Sequence, residues 1–526
     1  MGVRFQTGLV FVAAFVLLLL LQGNLFVLAN DEGLTLESTQ RVLAGQLPYV
    51  DFFGHASPGS YWLQAAIFKV FGVSIWSARL GVIADVSVLV ALLYWFVARF
   101  AGRAAAVVTT PLFFVFEIAD PVFITIQHRW NSCALSFLSI AMTLSGAEKP
   151  FWWWAIAGAA AAYAALCTPT IGLVPVLTLT WLAWERPLRK HLTPFITGLA
   201  VVGFPAFGYM AATGMLTGGR YGGYLGHLAF MSRNYAEVNA MPYGAVIGGF
   251  GPLFSDVSGG EWVVRALLLV CITLPATLPF IGGVGWGVWA WRGTGPVSRN
   301  AALYLIACLG AFIVYSFPRG DLTHLAFFAA FTYALAIVWM VRVLPPRALA
   351  GIGLFFGVWA IGFGVTRVIG TVTAKPLATP IGMVRVSNDL RPDLEALLAA
   401  AKPGQTAYVH PYNPLLYFIT QMRDPASFCF LAPGMMKAHE EAAVLDDLHA
   451  HPPRWMLYHK LSREEFLRVF PGGVRLEHRY LKIEAWIEEN YKPARKLAAL
   501  SGYDLWKLEP PVSASTQSGP ASAAPR

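Results

Sequence analysis

The chain has 526 residues, 56% of them hydrophobic and only 13% charged, with a formal net charge of +9, and its mean hydropathy is +0.56. That balance excludes a soluble globular domain and a disordered chain, and it identifies a polytopic membrane protein. The basic residues are dispersed and form no stripe interleaved with aromatics, so nothing invokes nucleic acid.

The first apolar run, residues 7–29, is long enough to cross about 30 Å of hydrocarbon, with Arg4 on its near side. It lacks a convincing small-residue cleavage site, so it is expected to be retained rather than cleaved. Asp31 and Glu32 stand where it leaves the bilayer, an arrangement that suits either a solvated stop or chemistry at the membrane surface. The stretch Leu34 to Leu43 has helical periodicity ending at Gly45. Ser57-Pro58 then reads as an N-cap followed by proline at the first helical position, opening a helix that stops at Gly72. Short helices with aromatics on one flank, such as Tyr61, Trp62 and Phe68, suit the headgroup layer.

Further spans are expected near 80–98, 104–119, 131–146, 151–167, 170–184, 193–213, 264–290, 300–317, 325–341 and 348–370, about eleven in all with the first. Arg4, Arg99, Arg103, Lys149, Arg186, Arg189, Lys190, Arg292, Arg299, Arg342 and Arg347 fall on one side, which makes that side cytoplasmic. The N-terminus is then inside. The larger loops (30–75 and 214–262) and everything from about Thr371 onward lie outside. Four cysteines, Cys133, Cys167, Cys271 and Cys308, belong to apolar spans. Cys429 is the only thiol beyond them, so the C-terminal part holds no internal disulfide, and no Cys/His grouping suggests structural zinc.

Three divisions follow: a transmembrane domain over 1–370, an external α/β domain over 371–509, and a Ser/Ala/Pro-rich disordered tail over 510–526. In the second, helices are expected over 389–401, 438–449, 462–469 and 479–490, with strands at 406–410, 455–458 and 504–508. His410 and Asn413 stand at a strand-to-helix turn. That is a place for polar recognition of an acceptor, though helix capping explains such residues equally.

Asp31-Glu32-Gly33, then Arg41-Val-Leu-Ala-Gly-Gln-Leu-Pro-Tyr-Val-Asp-Phe52, then His55-Ala-Ser-Pro-Gly-Ser-Tyr-Trp-Leu63, Phe71-Gly-Val-Ser74 and Ala78-Arg79-Leu80 resemble the N-terminal region of polyprenyl-phosphate-sugar-dependent glycosyltransferases. These are C-superfamily membrane enzymes, in particular bacterial relatives of the protein mannosyltransferases of family 39. The resemblance is good over about residues 1–150 and general in topology to about 370. It implies that Asp31 is the catalytic base, with Glu32 beside it, taking the proton of an acceptor hydroxyl as that oxygen attacks the anomeric carbon. Where the family often has Lys-Pro-Pro, this chain has His55-Ala-Ser-Pro, which leaves the role of His55 open.

A lipid-phosphate leaving group calls for cations where negative charge accumulates. Arg79, His128 with Arg129, Arg220, and Arg319 with His324 are the candidates for the donor phosphate, although Arg and Trp at headgroup depth also serve as anchors. Asp321 sits in the same turn as Arg319 and His324. Similar enzymes have a second acidic residue near Glu117 and Asp120, which orients the acceptor or in some relatives helps hold a metal; simple termination of the span is the other explanation. The spacing gives no complete metal shell, so a divalent ion is compatible but not required, and no other cofactor is implied.

The reading is an inner-membrane glycosyltransferase, inverting, that passes a hexose or pentose from a polyprenyl-phosphate carrier to a lipid, glycan or protein acceptor in the bacterial envelope, lipopolysaccharide included. The alternatives are a lipid-diphosphate-dependent oligosaccharide ligase or polymerase, and a non-enzymatic envelope-lipid transporter. A transporter would bring ionisable groups or repeats to the bilayer midplane, and here the spans are nearly free of charge except Asp85.

Overall fold

The computed structural model describes residues 2–118, 124–146, 148–235, 259–316, 319–431, 438–500 and 502–508. The chain is mostly helical. Its N-terminal elements are α1 (Val3–Gln22), α2 (Asn30–Leu43), α3 (Pro58–Phe71), α4 (Ile75–Phe100), α5 (Arg103–Phe113), α6 (His128–Leu144), α7 (Phe151–Cys167), α8 (Leu173–Trp184), α9 (Leu192–Ala212) and α10 (Gly223–Phe230). Helices Gly260–Ile272, Leu274–Arg292, Arg299–Ser316, Leu322–Ala326, Ala329–Val343 and Pro346–Val372 complete the bundle.

A helix overlaps each of the eleven expected spans, but length separates them. Among the described residues, five helices are long and apolar enough to cross a membrane by themselves, and a sixth if Gly260–Ile272 and Leu274–Arg292, bent by 59°, form one broken span. The others are shorter; α7 and α8, for example, are separated by a short turn that Pro169 opens.

Helix α4 is the centre of the bundle, packed against α1, α5, α6 and the helix Ala329–Val343. The outer helices turn apolar side chains outward, as a lipid-facing surface requires: Phe204 is 79% exposed, Leu354 71% and Ile361 70%. Small residues let backbones meet inside. A Cβ on Gly158 of α7 would collide with the Phe195 carbonyl of α9.

One end of the bundle carries α2, α3 and the C-terminal region. The acidic pair lies inside the first turn of α2, which begins at Asn30, four residues before the expected start. Carboxylates in a first turn complement the helix dipole. Ser57 and Pro58 open α3 as expected, although the Ser57 side chain makes no capping bond. Beyond the last span come the hairpin β1 (Lys375–Thr379) and β2 (Gly382–Val386), then β3 (Ala407–His410), β4 (Trp455–Tyr458), β5 (Tyr491–Leu497) and β6 (Tyr503–Leu508). The last four form one mixed sheet in the order β3-β4-β6-β5, with β3 and β4 parallel and the rest antiparallel.

Two contacts seat this region on α2. Arg41 pairs with Glu37 and with Asp424, both at 2.9 Å, and all three side chains are buried. At Gly33 the backbone of Pro414 and Leu415 comes so close that no Cβ would fit. The expected disordered tail 510–526 lies outside the described residues.

Candidate active site

The two members of the acidic pair have different surroundings. On α2, Glu32 turns inward and its carboxylate lies 2.9 Å from the Arg79 guanidinium of α4, each side chain 1% exposed. Burial raises the Glu32 carboxyl above its ordinary range, while Arg79 and the Ile126 amide pull it back. Arg79 also donates to the carbonyls of Leu25 (3.2 Å) and Ile124, and its buried Nε has no hydrogen-bond partner among the described residues. Arg79 therefore ties together the exit of α1, the start of α2 and the entry to α6, and it is enclosed where a donor-phosphate contact was expected. Asp31, one position earlier on the helix, points the other way and is exposed.

Asp31 acts electrostatically on His55 and on Asp321, which belong to two other segments. His55, half-buried between α2 and α3, is held down to about 4 by burial, with Asp31 pulling it up and Arg129 pushing it further down. It is thus a neutral imidazole at neutral pH, acting as donor and acceptor. Its ring lies 5.5 Å from that of Phe430. Arg129, in the first turn of α6, stacks over Phe327 (5.7 Å) and Tyr315 (5.9 Å), which fix the direction of its guanidinium. His128 beside it bonds through Nδ1 to the Thr168 hydroxyl at 2.7 Å.

The turn 319–324 closes the group. Asp321 accepts from Arg319 Nε at 2.5 Å, from the His324 backbone amide at 2.9 Å, and lies 2.7 Å from His324 Nδ1. Burial raises its carboxyl; the Arg319 and Arg129 guanidiniums lower it and Asp31 raises it. Arg129 thus acts on both His55 and Asp321. The structure brings Asp31, His55, His128, Arg129, Arg319, Asp321 and His324 to one face.

Other candidates lie elsewhere. Glu117 is 3% exposed, inside the bundle, and accepts from the Tyr333 hydroxyl at 2.8 Å. Asp120 lies outside the described residues. Arg220 reaches the C-terminal region, 3.5 Å from Asp447 and 3.3 Å from the Ser427 hydroxyl. His410 and Asn413 are each 1% exposed. His410 lies 3.8 Å from Glu484, which Arg479 also binds, so the strand-to-helix turn is interior and offers an acceptor no surface. Among the described residues no group of three His, Cys, Asp or Glu side chains is arranged to hold a metal ion.

Sequence reasoning missed the supports. Thr168 and the Arg41–Asp424 pair have no local signature, because their partners are distant in the chain. Asp85 stood out as a charge within a span; it accepts from Asn131, whose carbonyl accepts from Ser60 at 2.9 Å, joining α4, α6 and α3.

Residues 55–210 match the family model for dolichyl-phosphate-mannose-protein mannosyltransferase. No curated protein matches the sequence. Among solved structures, ArnT from Cupriavidus metallidurans bound to undecaprenyl phosphate superposes with a TM-score of 0.55 at 14% identity, over 95% of this chain and 97% of that one. The same protein in the apo state gives 0.53 at 15% identity, over 96% and 98%. The Archaeoglobus fulgidus oligosaccharyltransferase in complex with zinc and sulfate gives 0.50 at 13% identity, over 85% of this chain and 67% of that one. The chain is therefore similar in sequence to dolichyl-phosphate-mannose-protein mannosyltransferases over residues 55–210, the family its N-terminal motifs resemble, and similar in fold to ArnT over 95% of its length.

Proposed function

We propose that the protein is an integral membrane glycosyltransferase that moves a sugar from a polyprenyl-phosphate carrier to an acceptor at the outer face of the bacterial inner membrane, with inversion. The observation that carries the reading is the exposure of Asp31, which acts electrostatically on His55 and on Asp321, the same two groups on which Arg129 acts. Asp31 takes the proton of the acceptor hydroxyl as its oxygen bonds to the anomeric carbon. The bond from that carbon to the phosphate oxygen breaks, and its electron pair leaves with the polyprenyl phosphate. Arg129 and Arg319 meet the charge that develops there, with His128 and His324 beside them. His55 orients the acceptor hydroxyl. Glu32 and Arg79 hold α2 in place and touch neither substrate.

We further propose eleven spans with the N-terminus cytoplasmic, and residues 371–509 as an external α/β domain. An alkaline-phosphatase fusion after residue 375 is expected to be active; a well-expressed, silent fusion overturns that topology. The test of function compares the purified protein and Asp31→Asn for sugar release from a panel of polyprenyl-phosphate sugars with envelope extract. Release by the unaltered protein that falls by a factor of roughly 10²–10⁴ in the folded variant supports the reading; equal release by both removes Asp31 as base.

A further inference from the structure

A pocket of 340 Å³ opens between the segment 220–230, Phe53 and the C-terminal helix Ala438–Ala450. Its size falls in the lower part of the range for small-molecule sites, roughly 300–1,000 Å³. Phe53, Tyr221, Phe230 and Phe428 wall it: Phe53 stacks on Phe428 at 5.0 Å, and Tyr221 meets Phe428 edge-on at 5.1 Å. Arg220, Glu440 and Asp446 supply its charged groups. His227 also lines it, 4% exposed, and its Nδ1 has no hydrogen-bond partner among the described residues.

We propose that this pocket binds a saccharide ring of the acceptor. The C–H face of a pyranose carries partial positive charge and packs on the negative faces of aromatic rings. Its hydroxyls both donate and accept, and so satisfy carboxylates, a guanidinium and an imidazole together. Two carboxylates against one guanidinium disfavour a phosphate or another anion. Burial holds His227 down to about 3, so it is neutral and offers a hydroxyl one donor and one acceptor. His55 acts electrostatically on His227, and Phe53 is two residues from His55, so a sugar held here lies alongside the Asp31 centre. Assignment of that sugar to the acceptor rests on the glycosyl-transfer reading; the binding itself does not.

Saturation-transfer NMR on the full chain in phospholipid nanodiscs, free of glycoside detergent, tests this with methyl glucoside, galactoside, mannoside, N-acetylglucosaminide and arabinoside. Ring protons of at least one are expected to receive saturation. Ala442→Trp, which fills the mouth from an exposed position of the lining helix, is expected to abolish the signal without lowering the melting temperature, and Asp446→Asn to weaken it. Asp31→Asn keeps it. No saturation of any glycoside, or a signal undiminished in Ala442→Trp, overturns the pocket. Binding that survives while no donor supports transfer leaves the pocket in place and removes its acceptor role.

Discussion

Glu32 lies 2.9 Å from Arg79 with both side chains 1% exposed, whereas Asp31, its neighbour in sequence, is exposed. Removing one partner of such a pair leaves a charge buried without compensation, at a cost of about 3–5 kcal/mol. Glu32→Ala is therefore expected to lower the melting temperature markedly, and Asp31→Asn to leave it nearly unchanged while transfer is lost. Thermal unfolding in detergent, read beside transfer kinetics, checks both. An Asp31→Asn protein as unstable as Glu32→Ala would contradict the division of the pair.

Gly33 follows the pair, and the backbone of Pro414 and Leu415 occupies the space a side chain would need. Gly33→Ala is expected to push the C-terminal region away from α2 and to cost roughly 1–3 kcal/mol, as overpacking does. The readout is limited proteolysis within residues 400–430 together with the melting temperature. Unchanged protease resistance would mean that the two segments separate in solution.

Much of this architecture is legible from local pattern. The apolar runs mark where helices fall, and the apolar strand Trp455–Tyr458 stands between polar turns and is fully buried. Strands β1, β2 and β5 were not foreseen, whereas β3, an edge of the same sheet as β5, was, because its four residues are all buried and apolar or aromatic up to His410. β5 reads Tyr-Lys-Pro-Ala-Arg-Lys-Leu with five exposed residues between two buried ones, so it has no alternation to detect. The site is legible in part for a similar reason. Asp31, Arg129 and Arg319 stand out in the sequence as charges at the outer ends of apolar runs, but Arg79 reads like any outer-face cation until Glu32, 47 positions away, is found against it.

His227 gives the protein an acid-sensitive joint. Burial lowers its imidazole from the ordinary value of 6.5 to about 3, so the fold prefers the neutral form. The unfolded chain takes up a proton as pH falls below 6.5 and the folded chain does not. The contribution is thus complete above 6.5 and is lost as pH falls toward about 3, by up to about 1.4 kcal/mol per pH unit. Melting temperatures between pH 7.5 and 4.5 are expected to fall more steeply for the unaltered protein than for His227→Asn. Parallel curves would mean that His227 titrates alike in both states.

Asp321 holds Arg319 through Nε at 2.5 Å and caps the short helix Leu322–Ala326 through the His324 amide at 2.9 Å. The two jobs separate by substitution. Asn retains an oxygen for the cap but loses the charge that fixes the guanidinium, and charge-assisted bonds are about twice as strong as neutral ones. Asp321→Asn is therefore expected to raise KM for the lipid donor with little change in melting temperature. Asp321→Ala is expected to do the same and to lose a further 0.5–2 kcal/mol or so of cap stability. If Arg319 faces the donor phosphate as proposed, Arg319→Ala is expected to raise the donor KM without affecting the acceptor KM. A matching rise in the acceptor KM would place Arg319 against the acceptor and leave Arg129 as the cation facing the leaving phosphate.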